Sequence, residues 1–285
     1  MARQSANELT AGELQGRLSE LDEKDYLLID VRQPHEYAES HLPGARLIPL
    51  LEFEAKLFSM PFDRELIFIC HSGSRSRMAA LLAEEAGITT RPIHNLAGGM
   101  AAWEGRSVDD FPKVEIFENL SDAPKIMEKA MDLEKGAFRF YRILKERFPD
   151  ESFAGVIRQL EKEEEAHARL VHSFWGRIDR RAPEFDAFFA SLEGRILEGG
   201  LSFESAVERI RPAARGRCIP VIELALDIET TAYDLYRNLA EVTADEVARD
   251  AFLSIAQAEK SHMKRLAGAL ADCTGSSRSD PQSPG

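Results

Sequence analysis

Glutamate and histidine residues recur in the C-terminal half of the chain in a fixed register. The pattern Glu-x-x-Ala-x-x-x-Tyr occupies 134–141 and again 229–236, and the pattern Glu-x-x-His occupies 164–167 and again 259–262. Each residue of the first copy precedes its counterpart by 95 positions. Such a repeat indicates the duplication of a helix pair. The matched pairs are Glu134 with Glu229, Tyr141 with Tyr236, Glu164 with Glu259, and His167 with His262.

This spacing suits the binding of two metal ions. Residues i and i+3 of a helix share a face, so each Glu-x-x-His pair can reach one ion. One glutamate from each of two helices, with Glu-x-x-His from each of two others, is the ligand pattern of di-metal helix bundles. Burying four carboxylates without partners would be very costly, whereas two divalent cations balance their charge when both histidines are neutral. The predicted metal ligands are Glu134, Glu164, His167, Glu229, Glu259 and His262.

The ligand types restrict the choice of metal. Mixed carboxylate and imidazole ligands suit iron, manganese or zinc. We expect Glu134 and Glu229 to bridge the two ions. The alternative interpretation is that 161–167 and 258–262 are solvated, charged helix faces, which is what either segment alone would favour.

Small and aromatic residues follow the predicted ligands at helical spacing. Ala137 and Ala232 come one turn after Glu134 and Glu229 and leave room for the ions. Two tyrosines come two turns after the same glutamates and either donate hydrogen bonds to ligands or fill the core. These tyrosines are Tyr141 and Tyr236. His172 is predicted to be structural or to lie on the surface.

A cysteine lies where a short apolar run meets a helical pattern. Cys70 ends the run ELIFIC (65–70), the loop CHSGSRS follows, and RMAALLAEEAG (77–87) has a helical pattern. The N–H groups of such a loop can turn inward, Gly73 permits the tight curvature, and the helix N-terminus adds positive potential. A site of this kind lowers a thiol pKa and holds a thiolate or persulfide anion. We predict that Cys70 is a nucleophile; the alternative is a buried core cysteine.

The residues of the loop are assigned accordingly. Arg75 is predicted to assist Cys70 in catalysis through its fixed positive charge. The predicted substrate-binding residues are His71, Ser72, Gly73, Ser74 and Ser76.

The first 105 residues predict an α/β domain. The runs at 26–31 and 65–70 are short, apolar and bounded by polar or turn residues, which is typical of buried strands. Segments 10–22, 77–87 and 98–105 have helical patterns. Strands that alternate with helices predict a parallel sheet.

Long amphipathic helices are predicted from about Ser121 onward. Ser121 or Asp122 can cap the first of them, with Pro124 in its first turn. A crossover of about 50 residues between the second and third long helices suits a ferritin-like four-helix bundle. The predicted helices are 122–148, 150–175, 183–198, 202–210, 219–241 and 243–271.

Composition restricts the class of protein. A chain of 285 residues is long enough for two domains. The apolar runs are too short for a membrane span, and the N-terminus lacks the apolar segment of a signal peptide. The net charge of −13 argues against nucleic acid as the main partner. Cys70, Cys218 and Cys273 form no CxxC pair, so we expect isolated thiols in a reducing cytoplasm, with Cys218 and Cys273 incidental.

Three segments resemble the rhodanese family over residues 8–105: IDVRQPHEYAESHLPGA (29–45), the loop of Cys70, and NLAGGMAAWEG (95–105). The resemblance implies that Cys70 accepts sulfane sulfur as a persulfide, which the amides of 71–75 stabilise. The loop fits sulfur transfer better than the related phosphatases, whose loops are longer to admit phosphate. The remaining motif residues are expected to support the structure around the site; they are Asp30, Arg32, Glu36, His41, Gly98, Gly99 and Trp103.

The repeated ligand set is similar to the rubrerythrin-like branch of the ferritin-like family over residues 119–272. The resemblance implies the same six ligands, two iron ions with manganese or zinc as alternatives, and a homodimer. Typical rubrerythrin also carries a rubredoxin module with two CxxC pairs, which this chain lacks. It has an extra carboxylate one turn after the ligand of the third helix, where this chain has Ala232. Both departures weaken the transfer of peroxidase activity, and neither weakens metal binding.

The predicted organisation is a rhodanese-like domain at 1–106, a linker at 107–118, a di-metal four-helix bundle at 119–272 and a disordered tail at 273–285. The favoured function is a cytoplasmic sulfurtransferase coupled to a di-iron redox site that acts on oxygen, peroxide or sulfur species in oxidative-stress defence. The alternative is a sulfurtransferase, or a sulfur or redox sensor, whose helical domain binds metal and dimerises without catalysis. The expected partners are a small sulfane-sulfur donor such as thiosulfate or a persulfide, an unidentified thiol acceptor and an electron donor.

Overall fold

A computed structural model describes residues 7–118, 120, 122–211 and 218–276, with the side chains of 274–276 excluded. These residues form two compact units. The first comprises the chain up to Pro112 together with Tyr236–Glu241, and the second comprises Lys113–Leu235 and the chain from Val242 onward. The predicted fold class, an α/β domain with a parallel sheet followed by a helical domain, is confirmed.

A five-stranded parallel sheet forms the centre of the first unit, in the order β1-β5-β4-β2-β3. The strands are β1 Asn7–Leu9, β2 Tyr26–Asp30, β3 Arg46–Leu47, β4 Glu65–Ile69 and β5 Ile93–Leu96. Both β2 and β4 are buried along their whole length, as expected for strands that are covered on both faces. Their pairing runs from Tyr26 opposite Glu65 to Asp30 opposite Ile69, so Cys70 follows at the carboxyl edge of the sheet.

Helices cover the two faces of this sheet. They are α1 Ala11–Glu20, α2 Pro34–Glu39, α3 Leu50–Lys56 and α4 Ser74–Ala86, with 3-10 turns at Leu57–Ser59 and Gly99–Ala102. Thr10 and Glu13 form a capping box at the start of α1. Because side chains alternate along a strand, β4 sends Leu66 and Phe68 into one apolar core and Ile67 and Ile69 into another.

Long helices dominate the second unit. They are α5 Ala123–Arg147, α6 Ala154–Ile178, α9 Cys218–Val242 and α10 Glu246–Ser276, with the short helices α7 Phe185–Ser191 and α8 Phe203–Ile210 between α6 and α9. Asp122 caps α5 by accepting a hydrogen bond from the Lys125 N–H, and the following residues include Pro124 in the first turn. None of the described helices is long and apolar enough to span a bilayer.

The crossover between α7 and α8 is a tight hairpin that lies on α5. Ile196 and Ser202 form an antiparallel bridge, and a 3-10 turn at Glu198–Gly200 closes the hairpin. The N–H of Gly194 donates to Asp132 Oδ1 at 2.8 Å. At Gly136, in the middle of α5, an added Cβ would lie 2.3 Å from the Ile196 carbonyl oxygen, so only glycine permits this approach.

Several predicted element bounds require correction. The segment 98–105 forms only a short 3-10 turn, because Gly98 and Gly99 both have positive φ and interrupt a regular helix. The helix predicted over 183–198 ends at Ser191, and the rest of that segment enters the crossover hairpin. Helix α10 continues to Ser276, beyond the predicted end at Ala271. The first four residues of the tail predicted to be disordered, 273–285, belong to this helix instead. Ser121 as a helix cap and the rest of that tail, 277–285, lie outside the described residues.

The prediction that all three cysteines are isolated thiols is wrong. Cys218, the first residue of α9, forms a disulfide with Cys273 near the end of α10, and their Cα atoms lie 6.0 Å apart. Glu229 contacts His262 further along the same two helices, so the helices run antiparallel and the start of α9 lies beside the end of α10. Cys70 is the free cysteine of the structure and is buried.

Candidate functional site

The loop of Cys70 surrounds its sulfur with hydrogen-bond donors. The N–H of Gly73 and the hydroxyl of Ser76 each donate to Cys70 Sγ at 3.1 Å. Gly73 has a φ of +90°, which L side chains rarely adopt, and this conformation turns the loop into the N-terminus of α4. Predicted loop residues divide into two groups, since Gly73 and Ser76 are buried, whereas His71, Ser72 and Ser74 are exposed.

These donors change the ionisation of the thiol. Burial alone would raise the pKa of Cys70, but hydrogen bonds from the Ser76 hydroxyl and from the N–H groups of Ser76, Ser72 and Gly73 outweigh it and lower the pKa below 9.0. Hydrogen bonds to the charged form stabilise it. The loop is therefore built to hold a sulfur anion.

Arg75 is held by a carboxylate rather than directed freely at substrate. Its two terminal nitrogens donate to the two oxygens of Glu36 at 2.7 and 2.6 Å, a bidentate pair. The Arg75 guanidinium lowers the pKa of Glu36 to about 2. This ion pair connects the first turn of α4 to α2, and it holds the Arg75 guanidinium beside the cysteine loop.

The motif around 95–105 packs against the cysteine loop. The N–H groups of Met100 and Ala101 donate to the carbonyl oxygens of Cys70 and His71 at 2.8 and 3.0 Å. An added Cβ on Gly99 would lie 2.2 Å from the Cys70 carbonyl oxygen. This contact gives the two successive glycines a physical role, since they let the 3-10 turn close on the loop.

Asp30, Arg32 and His41, three further motif residues, are buried in structural contacts. Arg32 pairs with Asp30 at 2.6 Å and also donates to the Ser40 carbonyl oxygen at 2.7 Å. His41 stacks on Tyr37 with ring centroids 3.7 Å apart. The main chain of His41 pairs with Val108, a residue of the predicted linker.

The six predicted metal ligands converge in the interior of the helical unit. Each of four helices contributes: α5 carries Glu134, α6 carries Glu164 and His167, α9 carries Glu229, and α10 carries Glu259 and His262. All six side chains are buried, and the two imidazole rings stack with their centroids 4.8 Å apart. Ligand atoms of Glu164, His167, Glu259 and His262 lie within 4.8 Å of one another.

The carboxylates of Glu164 and Glu259 each lie close to both histidines of the cluster. Glu164 lies 3.5 Å from His167 Nδ1 and 3.3 Å from His262 Nδ1. Glu259 lies 3.2 and 3.1 Å from the same two atoms. Glu164 and Glu259 therefore lie between the two histidines, a position that we had expected Glu134 and Glu229 to occupy as bridging ligands.

The other two carboxylates lie on opposite sides of this shared pair. Glu134 lies 3.3 Å from His167 Nδ1, and Glu229 lies 2.9 Å from His262 Nδ1. Each half of the cluster thus combines one histidine, one outer glutamate and the two central glutamates. This arrangement repeats the 95-residue duplication in space.

The predicted neighbours of the ligands have different surroundings. Tyr141 is buried, and its hydroxyl donates to Glu229 Oε1. Tyr236 is also buried. His172 contacts the Pro183 carbonyl oxygen at 2.7 Å through Nε2 and packs against Phe185, a structural position as predicted.

Two glutamates near the cluster were missed by sequence reasoning. Glu163 lies 3.0 Å from His262 Nε2, so it orients the ring whose Nδ1 faces the cluster. It was part of the charged run at 161–167, where its neighbours obscure it. Glu198 comes from the crossover hairpin, and its carboxylate lies within 4.8 Å of ligand oxygens of Glu134 and Glu164. The two glycines that follow it, Gly199 and Gly200, predict a tight turn, but they do not indicate that the turn brings a carboxylate to the cluster.

Burial and repulsion perturb the ionisation of the cluster. Burial raises the pKa of Glu134 to about 7, and the neighbouring carboxylates of Glu164 and Glu259 add to the rise. Burial also raises the pKa of Glu229 well above its usual range. Although burial alone would lower it, the surrounding carboxylates raise the pKa of His167 well above the ordinary histidine value. The cluster is therefore short of positive charge.

The residues present fit a pair of metal ions. Glu164 Oε1, His167 Nδ1 and both oxygens of Glu259 are buried and make no hydrogen bond within the described part of the chain. Buried polar groups in proteins are normally satisfied, so such a convergence indicates a cation as the partner. Oxygen and imidazole donors suit iron, manganese or zinc.

Comparison with known proteins agrees with both halves of this description. The Rhodanese-like domain family matches residues 10–106, and the Rubrerythrin family matches residues 125–270. A sulfurtransferase from Allochromatium vinosum is 34% identical over 97 residues, which cover 34% of this chain and 87% of that protein. The thiosulfate sulfurtransferase GlpE from Pseudoalteromonas translucida is 30% identical over 84 residues, which cover 30% of this chain and 78% of that protein.

Other relatives share similarly limited segments. The YrkF protein of Bacillus subtilis is 38% identical over 80 residues, which cover 28% of this chain and 42% of that protein. A solved rhodanese-like domain protein from Staphylococcus aureus is 31% identical and covers 36% of this chain and 98% of that chain, with a TM-score of 0.33. Since the Rubrerythrin match spans just over half of the residues, the chain belongs to the rubrerythrin family and carries a rhodanese-like domain at its N-terminal side.

Proposed function

We propose that the protein is a sulfurtransferase that carries sulfane sulfur on Cys70, and that its helical unit holds a redox-active pair of metal ions, with iron favoured. The observation that supports the first part is the donation of two hydrogen bonds to Cys70 Sγ, from Gly73 and Ser76. The rhodanese-like match and the sulfurtransferase relatives support the same class of reaction.

The proposed transfer has two displacement steps. With thiosulfate as donor, the Cys70 thiolate attacks the outer sulfur, a new S–S bond forms to Cys70, and the bond to the sulfite sulfur breaks with release of sulfite. The product is a persulfide anion on Cys70. An acceptor thiolate then attacks the outer sulfur of the persulfide, takes it, and restores the Cys70 thiolate.

The loop assists these steps through its donors and its charge. The Ser76 hydroxyl and the N–H of Gly73 stabilise the sulfur anion, and the nearby positive charge of Arg75 attracts anionic donors. The paired carboxylate of Glu36 fixes the position of that charge. Three loop residues are exposed, so we assign them to contact with the sulfur donor: His71, Ser72 and Ser74.

The assay for this part is sulfur transfer from thiosulfate to cyanide, measured as thiocyanate. The full-length protein should turn over, and mass spectrometry should find one added sulfur atom on Cys70 after thiosulfate alone. Cys70→Ser should abolish both signals. Turnover that survives this substitution would refute the assignment of the nucleophile.

The second part concerns the helical cluster. A bound pair of iron ions supplies electron-transfer chemistry with oxygen, peroxide or sulfur species. Glu134, Glu164, His167, Glu229, Glu259 and His262 would together hold the two ions. The Tyr141 hydroxyl holds one oxygen of Glu229 by hydrogen bonding and so orients that ligand.

Metal content and optical spectra test this second part. Protein purified without air should contain about two metal ions per chain, and its iron form should change its absorption on exposure to oxygen or peroxide. Glu164→Gln should reduce metal content, whereas Glu165→Gln, which alters a half-buried neighbour on α6 that pairs with Arg169, should not. Retention of both ions by Glu164→Gln would contradict the ligand assignment, and an inert metal pair would leave Cys70 as the sole catalyst.

Covalent fusion is the basis for proposing that the two activities cooperate. Joining two modules in one chain raises the effective concentration of a group passed between them. Persulfide on Cys70 would thus be supplied to redox chemistry in the same chain. A mixture of the Cys70→Ser and Glu164→Gln proteins, each an intact chain that keeps one of the two proposed activities, should consume oxygen or peroxide more slowly with thiosulfate than the natural protein does.

A further inference from the structure

The crossover hairpin brings one more carboxylate to the metal cluster. Glu198 is 2% exposed although it lies in a turn between two short helices. A glutamate in a surface turn would normally be solvated, because burying a carboxylate without a partner is costly. Its Oε1 is buried and makes no hydrogen bond within the part of the chain that the structure describes.

The position of this carboxylate connects it to one half of the cluster. Ligand oxygens of Glu198, Glu134 and Glu164 all lie within 4.8 Å of one another. Glu134 is the outer glutamate beside His167, so Glu198 belongs to that half. The duplication provides no counterpart for it, because position 198 lies in the crossover between the two copies.

The hairpin is built so that Glu198 is presented from a fixed backbone. Gly136 and Gly194 permit the hairpin to lie directly against α5, and an added Cβ at Gly194 would lie 2.7 Å from the Gly136 nitrogen. Arg139 donates to the carbonyl oxygens of Glu193 and Gly194. The N–H of Leu197 donates to the Leu201 carbonyl oxygen at 2.8 Å across the turn.

The turn also packs against α9 beside the position that lacks a carboxylate. Gly199 has a φ of +75°, and an added Cβ there would lie 2.3 Å from Thr231 Oγ1. Thr231 precedes Ala232, whose methyl group is buried. The hairpin therefore contacts α9 at Thr231, next to Ala232, and it brings its own carboxylate.

We infer that Glu198 is a seventh protein ligand of the metal pair, supplied by the crossover hairpin to the ion held by Glu134 and His167. The inference rests on the proposed metal site. Glu198 makes the two halves unequal, because the half with Glu229 and His262 receives no such carboxylate from the duplication. The ion beside Glu198 is then the one held by more oxygen ligands.

The additional carboxylate also changes the charge of the ligand set. Five glutamates with two neutral histidines carry one more negative charge than two divalent ions neutralise. Ligand charge of this kind favours the higher oxidation state of a metal. Replacing Glu198 with a neutral residue should therefore raise the reduction potential of the iron form.

Cobalt binding to the metal-free, full-length protein tests the inference directly. Co²⁺ reports its coordination number through its visible absorption and is stable in air. We expect two Co²⁺ per chain in the natural protein. In Glu198→Gln we expect one ion to bind unchanged, the other to bind at least about tenfold more weakly, and the spectrum of that weaker ion to change. Glu204→Gln, an exposed glutamate on α8, is the matched control and should bind as the natural protein does.

Thermal unfolding of the metal-free proteins separates a ligand from a structural residue. Glu198→Met keeps the volume and removes the buried carboxylate, so the metal-free variant should melt at the same or a higher temperature than the natural protein. Addition of Co²⁺ should then raise its melting temperature less. A metal-free variant that melts lower, with Co²⁺ affinity unchanged, would show that Glu198 only supports the fold.

Two further results would overturn the inference in distinguishable ways. Unchanged affinity, stoichiometry and spectrum in Glu198→Gln would remove Glu198 from the ligand set while leaving the proposed metal site intact. Failure of the natural protein to bind either Co²⁺ or Fe²⁺ would refute the proposed metal site and the seventh ligand together.

Discussion

The hydroxyl of Ser76 lies 3.1 Å from Cys70 Sγ, although α4 begins between the two residues. The loop from Cys70 to Ser76 thus curls around the sulfur of its own first residue. The same loop includes the N–H of Gly73, which also lies 3.1 Å from the sulfur. Donors that belong to the loop itself, rather than a neighbouring base, account for the acidity of this thiol.

Ser76→Ala removes the strongest of these donors. The pKa of Cys70 should rise. When the pH is lowered, the thiolate of the variant should therefore become protonated at a higher pH than that of the natural protein. At neutral pH sulfur transfer should slow by about tenfold or more, since a hydrogen bond to a charged group contributes ~1.5–3 kcal/mol. The midpoint of alkylation by iodoacetamide against pH measures the shift. Ser59→Ala, at an exposed serine of the same unit, should leave that midpoint unchanged.

Gly99→Ala should disrupt the support of the cysteine loop. Its φ of +59° costs ~1–3 kcal/mol for a side chain, and the new Cβ would also collide with the carbonyl oxygen of Cys70. We expect a lower free energy of unfolding and weakened thiosulfate turnover. Gly12→Ala, in α1 with open space around it, should instead stabilise by ~0.5–1 kcal/mol in urea unfolding. Equal effects of the two substitutions would contradict the proposed packing role of Gly99.

Tyr141→Phe tests the hydrogen bond from the Tyr141 hydroxyl to Glu229, the predicted metal ligand on α9. Burial and the carboxylates of Glu229 and Glu164 raise the pKa of Tyr141 well above 10, so the phenol keeps its proton and donates to Glu229. Loss of the hydroxyl should weaken metal binding by about 10–100-fold, as outer hydrogen-bond partners of metal ligands do. Isothermal titration with Mn²⁺ measures this loss. Unaltered affinity would reduce Tyr141 to core packing.

The disulfide between Cys218 and Cys273 predicts a thiol count. Before reduction, the unfolded protein should react with a thiol reagent at Cys70 alone, and after reduction it should react at all three cysteines. In the chain-entropy model a closed loop with a sequence separation of 55 stabilises by ~4 kcal/mol. Cys218→Ser should lower the melting temperature of the helical unit accordingly. Three reactive thiols before reduction would contradict the pairing.

Much of this architecture was predictable from local patterns. The 95-residue register identified six buried side chains that the structure brings together, because helical spacing determines which residues share a face. The apolar runs predicted at 26–31 and 65–70 form β2 and β4, which are paired strands inside the sheet. In both cases the signal was contained in one element or in the repetition of one element.

The rest depended on contacts that no local pattern encodes. Glu198 lies outside the repeat, and only the packing of Gly136 and Gly194 brings it to the cluster. Cys218 and Cys273 are paired because one antiparallel helix begins where another ends. Which glutamates lie between the two histidines depends on how the four helices cross, so spacing along the chain did not identify Glu164 and Glu259.

The order in which the two sites arise during synthesis follows from where their parts lie in the chain. The loop around the Cys70 sulfur and the turn that packs behind it are complete by Ala102. The proposed metal cluster needs Glu259 and His262, which lie in the middle of α10. Because a nascent chain emerges from its N-terminal end, all parts of the Cys70 loop are synthesised before any complete metal site can form, although Tyr236–Glu241 joins the same unit only later. Loading of the proposed metal pair would therefore have to follow the synthesis of His262.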